Sequence, residues 1–290
     1  MVIRHPLPSV VLLGALSAWA STAAATDIDS VNQFRNVSAR QTGDSTLVDN
    51  GAFFSASATV APGAVGSYAN GHLSFGVNVF GLNSSDGGRT FSFQTASLAS
   101  QAELDASFPV ATIYAYTLPA VDSSAPPAVA TLESGVAAYP LSTPQLTGGS
   151  FSALQGMNAS AALTLNFSPF IVDPNATEAF VFLSIYDQTS ATWFFPLSFA
   201  PPSTSGVTLA AGQLAAGHSF SFELIYSDRV LVPGDGTNFR AQMGFDFRTE
   251  GDFATAAVPE PQSWALLLAG LALLGVTAPR AMTAAGRVRP

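Results

Sequence analysis

Cysteine is missing from this chain altogether. That excludes disulfide staples, zinc–thiolate sites and thiol nucleophiles, so the fold must be held by its core alone. Lysine is missing too, and all ten basic residues are arginine. Histidine is scarce: His5 lies near the start, and His72 and His218 have no second histidine or carboxylate at i+2 or i+4. The common metal-ligand spacings are therefore absent, and both histidines read as turn residues ahead of strands. Charge is sparse, at 10% of residues, and lopsided, with nineteen acids against ten bases. Such an acidic balance disfavours nucleic acid and anionic membrane surfaces as partners. No Gly-x-Ser-x-Gly elbow occurs, so a serine-hydrolase triad has no anchor.

What is present begins at the two ends. Arg4 and His5 precede the apolar stretch Val10-Val11-Leu12-Leu13-Gly14-Ala15-Leu16 and then Ala23-Ala24-Ala25. A positive start, a short apolar core and small residues at a cleavage point read as a secretory signal peptide over 1–25. At the far end, Pro259-Glu260-Pro261 is followed by an uncharged run of fifteen residues, Trp264 to Ala278. Leu266, Leu267, Leu268, Leu271, Leu273 and Leu274 form its apolar body. With Gln262, Ser263 and Pro279 it reaches eighteen residues, the low edge of what spans a bilayer as a single helix. The two prolines stop the span from extending outward and leave an extended approach to it. Arg280, Arg287 and Arg289 after the run favour a cytoplasmic carboxy-terminus, and Trp264 before it suits the far interface.

This order of tripeptide, tryptophan, Leu/Ala/Gly run and arginines resembles the PEP-CTERM sorting signal, the carboxy-terminal tag of bacterial envelope proteins handled by an exosortase. The arginines here are spread out, whereas the family usually closes with a tight basic cluster. The resemblance covers 256–290, about a tenth of the chain. It implies export through the Sec pathway, a transient inner-membrane anchor, and processing by an exosortase-type membrane protease near Pro259-Glu260-Pro261. It further implies a final place in the cell envelope or outside the cell, associated with exopolysaccharide and with biofilm or floc formation.

Between the ends, the texture is that of an all-β protein. Phenylalanine is abundant, and serine, threonine, glycine and proline separate the apolar residues. Leu73, Phe75, Val77 and Val79 share one face of a predicted strand; Asn83 to Gly88 make a turn, and Arg89 to Phe93 return as a hairpin. Leu98 to Ala106 suits a two-turn helix, and Ala111 to Leu118 a strand with Tyr114 and Tyr116 on one face. Pro119 to Pro127 reads as a loop or linker. Leu163, Leu165 and Phe167 alternate with polar residues, as do Phe220, Phe222 and Leu224, and Phe239 to Arg248 reads as a half-buried strand. The strand around Val181, Leu183 and Ile185 carries Phe180, Phe182 and Tyr186 on its other face, so it is expected to be central and covered twice. Strands at this spacing without intervening helices predict a β-sandwich body. Its parts are a β-rich region over 26–135 and a sandwich over 136–255, with one continuous sandwich and a long crossover as the alternative.

Leu214-Ala215-Ala216-Gly217-His218-Ser219-Phe220 is similar to the turn-to-strand pattern of fibronectin type III domains. There a leucine precedes by six a tyrosine whose hydroxyl closes a corner. Leu214 and Phe220 keep the spacing, but Phe220 has no hydroxyl and Ala216 stands where proline is usual. The corner bond is therefore expected to be absent.

Chemistry is thinly supported. Asp173, Glu178, Asp187 and Glu223 supply carboxylates from which an acid–base pair for glycoside hydrolysis could be drawn. Pro233 to Asn238 and Asp27-Ile28-Asp29 carry calcium-type oxygens, but neither completes a calcium loop, and both read as turns. Trp193 and its neighbouring Phe and Tyr offer rings for a carbohydrate platform, although rings at period two in strands serve commonly as core. The sequence therefore points to an exported, non-enzymatic structural or binding protein, with no catalytic residue, no metal and no cofactor assigned. The alternative is a secreted carboxylate-dependent polysaccharide hydrolase.

Overall fold

The computed structural model describes residues 27–257, apart from 65, 123, 124, 134 and 233–239, together with Leu271. The stretch 1–25, Pro259-Glu260-Pro261, the rest of the apolar run and Arg280, Arg287 and Arg289 lie outside the described residues. Leu271 is helical and exposed. Among the described residues, no helix is long and apolar enough to cross a membrane.

The first strands are β1 (Ile28–Gly43), β2 (Thr46–Val60), β3 (Asn70–Phe75), β4 (Asn78–Ser84) and β5 (Thr90–Gln94), followed by helix α1 (Gln101–Ser107). Then come β6 (Ile113–Leu118), β7 (Ala128–Glu133), β8 (Leu146–Thr147) and helix α2 (Ser150–Leu154). The remainder is β9 (Leu163–Phe167), β10 (Glu178–Asp187), β11 (Thr192–Ala200), β12 (Gly206–Leu209), β13 (Ser219–Val232) and β14 (Arg240–Ala254). One sheet of eleven strands has the order β11-β10-β13-β14-β1-β2-β5-β4-β3-β6-β7, and β12-β9-β8 form a second. β1 and β14 run parallel through eleven pairs, from Ser30 opposite Arg240 to Arg40 opposite Glu250. The other neighbours in the large sheet run antiparallel.

The fold is all-β, and its core forms two clusters. Phe54, Leu73, Phe91, Tyr114 and Tyr116 pack with Ala241, Met243 and Phe245 of β14. Leu165, Val181, Leu183, Ile185, Phe220, Phe222 and Leu224 pack with Phe253 at the other end of β14. In this second cluster the small sheet covers β10 and β13, giving the layered packing of a sandwich. Each fully buried Phe or Leu contributes about 1.5–3 kcal/mol.

One of the longest strands hides its pattern. β1 turns Gln33, Arg35 and Gln41 inward. Arg35 donates to the Tyr114 hydroxyl at 3.2 Å and ion-pairs with Asp105 at 3.5 Å. Gln41 acts as a piece of backbone. Its amide donates to the Leu146 carbonyl at 2.8 Å and accepts from the Leu146 N–H at 2.9 Å, which ties β1 to the small sheet.

Tyr114 and Tyr116 share the buried face of β6 as expected. The predicted helix forms as α1 but starts at Gln101, capped by Ser100, because Leu98 bridges to Ala52 instead. The predicted strand through Leu73, Phe75, Val77 and Val79 is instead two strands. Gly76, at φ 53°, turns the chain, and Val77 is 97% exposed at the tip while Val79, the second residue of β4, faces solvent. A glycine is the residue that adopts this left-handed backbone without cost, so the turn falls there and ends the alternation. The hairpin from Asn83 to Phe93 forms, with Asn83 opposite Ser92. His72 lies within β3 opposite Gly81 rather than in a turn.

Candidate functional site on the outer face of the sheet

β10 is not central. It is the second strand from an edge, with β11 outside it. Its inner face, Val181, Leu183 and Ile185, is fully buried. On its outer face Phe180, Phe182 and Tyr186 remain partly open, so the expected second cover is not present among the described residues. β11 instead adds rings of its own to that face. Trp193, Phe195 and Phe199 are 53%, 56% and 71% exposed.

The rings form a chain of contacts. Tyr186 lies 4.8 Å from Trp193, Trp193 is stacked with Phe195 at 6.1 Å and 9°, and Phe195 lies 5.8 Å from Phe182. Phe199 lies 6.2 Å from Phe182 and 5.1 Å from Phe180. Register shifts between β10 and β11 re-aim β11 so that Phe195 points out while Phe194 and Leu197 pack inward. Phe199 adopts φ 51°, a left-handed conformation that costs a non-glycine residue about 1–3 kcal/mol.

A polar cleft opens beside Trp193. It has a volume of about 220 Å³ and is lined by Arg40, Trp193, Ser221, Glu223, Glu250 and Asp252, among others. Strand register builds it. Trp193 faces Tyr186, Tyr186 faces Ser221, and Ser221 faces Asp252, one level across four strands. At the next level Glu223 faces Glu250, which faces Arg40. The carboxylates already have partners. Arg40 pairs with Asp252, which also accepts from Gln188 at 3.2 Å. Arg248 pairs with Glu223 at 2.6 Å, and Asn50 donates to Glu250 at 3.1 Å. Burial pushes the Glu223 carboxyl above its ordinary range, against the pull of Arg248.

Further along the same face Arg229 is wedged over two rings, 4.4 Å from Phe34 and 5.1 Å from Phe180. It ion-pairs with the buried Asp246 at 3.4 Å, which also accepts from Ser227 at 2.6 Å. Burial raises Asp246 and lowers Arg229, each opposed by the other's charge.

The four carboxylates singled out in the sequence sit in four settings. Asp173 caps a turn, accepting from the Asn175 N–H at 2.8 Å. Glu178 starts β10 opposite Arg229. Asp187 pairs with His218 at 2.8 Å and caps the turn at Thr189 and Ser190. Burial works to raise Asp187, but the bonds from His218, Ser190 and Thr189 outweigh it and hold it at about 2. Of the four, Glu223 alone lies in the cleft, and no two of them face each other. Asp27 accepts from the Gly66 N–H at 2.8 Å and the Tyr68 hydroxyl at 2.6 Å, as a turn residue does. Among the described residues no group of three or more candidate metal ligands occurs.

Phe220 makes no corner hydrogen bond, but a different side chain ties this turn down. The Thr255 hydroxyl donates to the Ala215 carbonyl at 2.7 Å, and the His218 N–H donates to the Thr255 hydroxyl at 3.2 Å. A side chain from past the end of β14 supplies what Phe220 lacks, while Leu214 and Phe220 are buried as the spacing predicts.

These observations define the chain as an all-β protein carrying an open aromatic face. No family model matches it, and no curated protein matches it. Its matches among solved structures include fibronectin type III-like domains. The FN1–FN3 domains of chicken CNTN1 match at 9% identity over 77% of this chain and 67% of that one, with a TM-score of 0.25. A two-domain fibronectin type III segment of chicken tenascin matches at 12% over 73% and 95%, with a TM-score of 0.22. A calcium-stabilized adhesin with which an Antarctic bacterium binds ice matches at 11% over 79% and 49%, with a TM-score of 0.24.

Proposed function

We propose that this is an exported, non-enzymatic protein of the cell envelope or extracellular matrix, whose body works by holding a ligand on its outer sheet face. The observation that carries the reading is the strip of six rings on β10 and β11, three of them more than half exposed, running into a polar cleft. Six rings gathered on one open face, with Phe199 in a left-handed backbone, depart from the usual preference of large apolar side chains for burial. A hydrolase needs two free carboxylates across a cleft, one as acid and one as base or nucleophile. Glu223 does face Glu250 here, but Arg248 pairs with the first and Asn50 donates to the second, and the other three carboxylates singled out lie elsewhere.

In this reading residues 1–25 direct export, and the apolar run from Trp264 parks the protein in the inner membrane. An exosortase-type protease then acts near Pro259-Glu260-Pro261, and the released body associates with exopolysaccharide. The ligand face lies mostly on 136–255, with Arg40 of 26–135 completing the cleft. The test is the intact mass of the protein from cells and from medium, for the wild type and for a variant with all three motif residues changed to alanine. The expected result is a wild-type mass lacking the residues after about Glu260, with the loss abolished in the variant. A wild-type mass that still carries Trp264 to Ala278 would overturn the sorting part of the proposal.

A further inference from the structure

We infer that the ring strip and the cleft at its end form one site for an uncharged polysaccharide chain. The inference rests on the binding-face reading above and names the ligand class. A pyranose has two chemical sides: flat faces of C–H groups and an edge of hydroxyls. The outer face of this sheet offers the complement of each. Trp193 and Phe195 are each more than half exposed and offer open ring surface against which C–H faces can pack. Directly beside them the cleft presents Glu223, Glu250 and Asp252. Each carboxylate has about four acceptor sites, and the partners it already has leave room for sugar hydroxyls to donate charge-assisted bonds.

Length fits as well. From Phe180 to Tyr186 the strip runs six residues along β10, about 20 Å at the rise of a strand, which is long enough for several sugar rings in a row. An extended chain, rather than a single sugar, uses that whole surface.

The charges choose among polysaccharides. Arg40 and Arg248, the cations beside the cleft, are paired with Asp252 and Glu223. A polyanion would meet three carboxylates and two guanidiniums already neutralised, on a chain with nineteen acids against ten bases. It would be repelled. A flat apolar protein surface laid over the same area would strip water from the carboxylates without supplying donors, which is costly. Neutral hydroxyls satisfy both demands.

The experiment is affinity electrophoresis of the full chain through gels containing hydroxyethylcellulose, dextran or alginate, backed by titration with the oligosaccharides of whichever polymer retards it. Expected is retardation by a neutral polymer and none by alginate. Trp193→Ala should weaken binding about tenfold or more, and Phe195→Ala several-fold. Val77→Ala, at the exposed β3–β4 tip, should leave it unchanged. Trp193 is exposed, so its variant should melt with the wild type, and the thermal midpoint checks that. Stronger retardation by alginate overturns the charge argument. Self-association that Trp193→Ala abolishes, without polymer binding, overturns the ligand assignment and makes the face a contact between copies. Release of reducing sugar overturns the non-enzymatic reading. No retardation by any polymer, alongside the expected intact-mass result, refutes this inference while leaving the export and sorting reading standing.

Discussion

Gly244 sits where the sheet leaves no room for a side chain. A methyl group there would come within 2.0 Å of Arg229 Nη1 and within 2.5 and 2.8 Å of two atoms of the Phe34 ring. The end of Arg229 must move, yet it is held over Phe34 and Phe180 and beside buried Asp246. Moving it removes the charge partner of Asp246, leaving it the Ser227 hydroxyl, and empties the space between two rings. Overpacking alone costs about 1–3 kcal/mol, and breaking a buried ion pair on one side costs about 3–5 kcal/mol. These overlap, so Gly244→Ala is expected to lose about 3–5 kcal/mol in urea unfolding, a large share of the 5–15 kcal/mol typical of a folded domain. Gly81 is the control. It has open space around the position of a Cβ, and Gly81→Ala should change stability by less than about 1 kcal/mol. A double-mutant cycle with Arg229→Ala isolates the cause, because residues in contact are non-additive. If the arginine carries the damage, the double variant is scarcely less stable than Arg229→Ala alone. A Gly244→Ala protein as stable as Gly81→Ala, or losses that simply add, would refute the reasoning.

Other expectations follow from the buried polar groups. Burial raises the Asp228 carboxyl to about 6, above its unfolded value of about 3.9. The folded state therefore binds the proton more tightly, and this contribution to stability is full below about pH 4 and lost as pH rises to about 6. Asp228→Asn should erase that slope in thermal melts across the same range. Asp187 has the opposite sign: held at about 2, it stabilises above about pH 4 and loses that effect as pH falls towards 2, so His218→Ala should flatten the acid limb of the melting curve. Thr255→Val removes the donor to the Ala215 carbonyl and should cost about 1–2 kcal/mol in urea unfolding, with the same core packing by near-ultraviolet circular dichroism.

Strands with clean alternation were legible from residue order alone. Tyr114 and Tyr116, Leu165 and Phe167, and Phe220, Phe222 and Leu224 all face the core as their spacing predicts. β1 was not legible, because a core that accepts Arg35 through Tyr114 and Asp105, and Gln41 through the Leu146 backbone, defeats a pattern written in apolar residues. The ring face was half legible. Period two placed Phe180, Phe182 and Tyr186 together, but whether a second layer covers them depends on which strand lies at the edge, a long-range fact. The cleft was legible only in Glu223 and Trp193, since Arg40, Glu250 and Asp252 are brought together by pairing across strands far apart in the chain.

The parallel pairing of β1 with β14 has a mechanical meaning. Ile28 begins β1 at the level where β14 begins, and Ala254 ends β14 beyond Arg40. The two points therefore leave the sheet at opposite ends of adjoining strands, separated by a ladder about 35 Å long at the rise of a strand. A pull between them would slide the strands along one another, and every backbone bond of the ladder would share the load at once. An antiparallel hairpin pulled apart from its open end gives way one bond at a time. The first and last of the described strands therefore act as a clamp against being drawn out when pulled from Ile28 and Ala254.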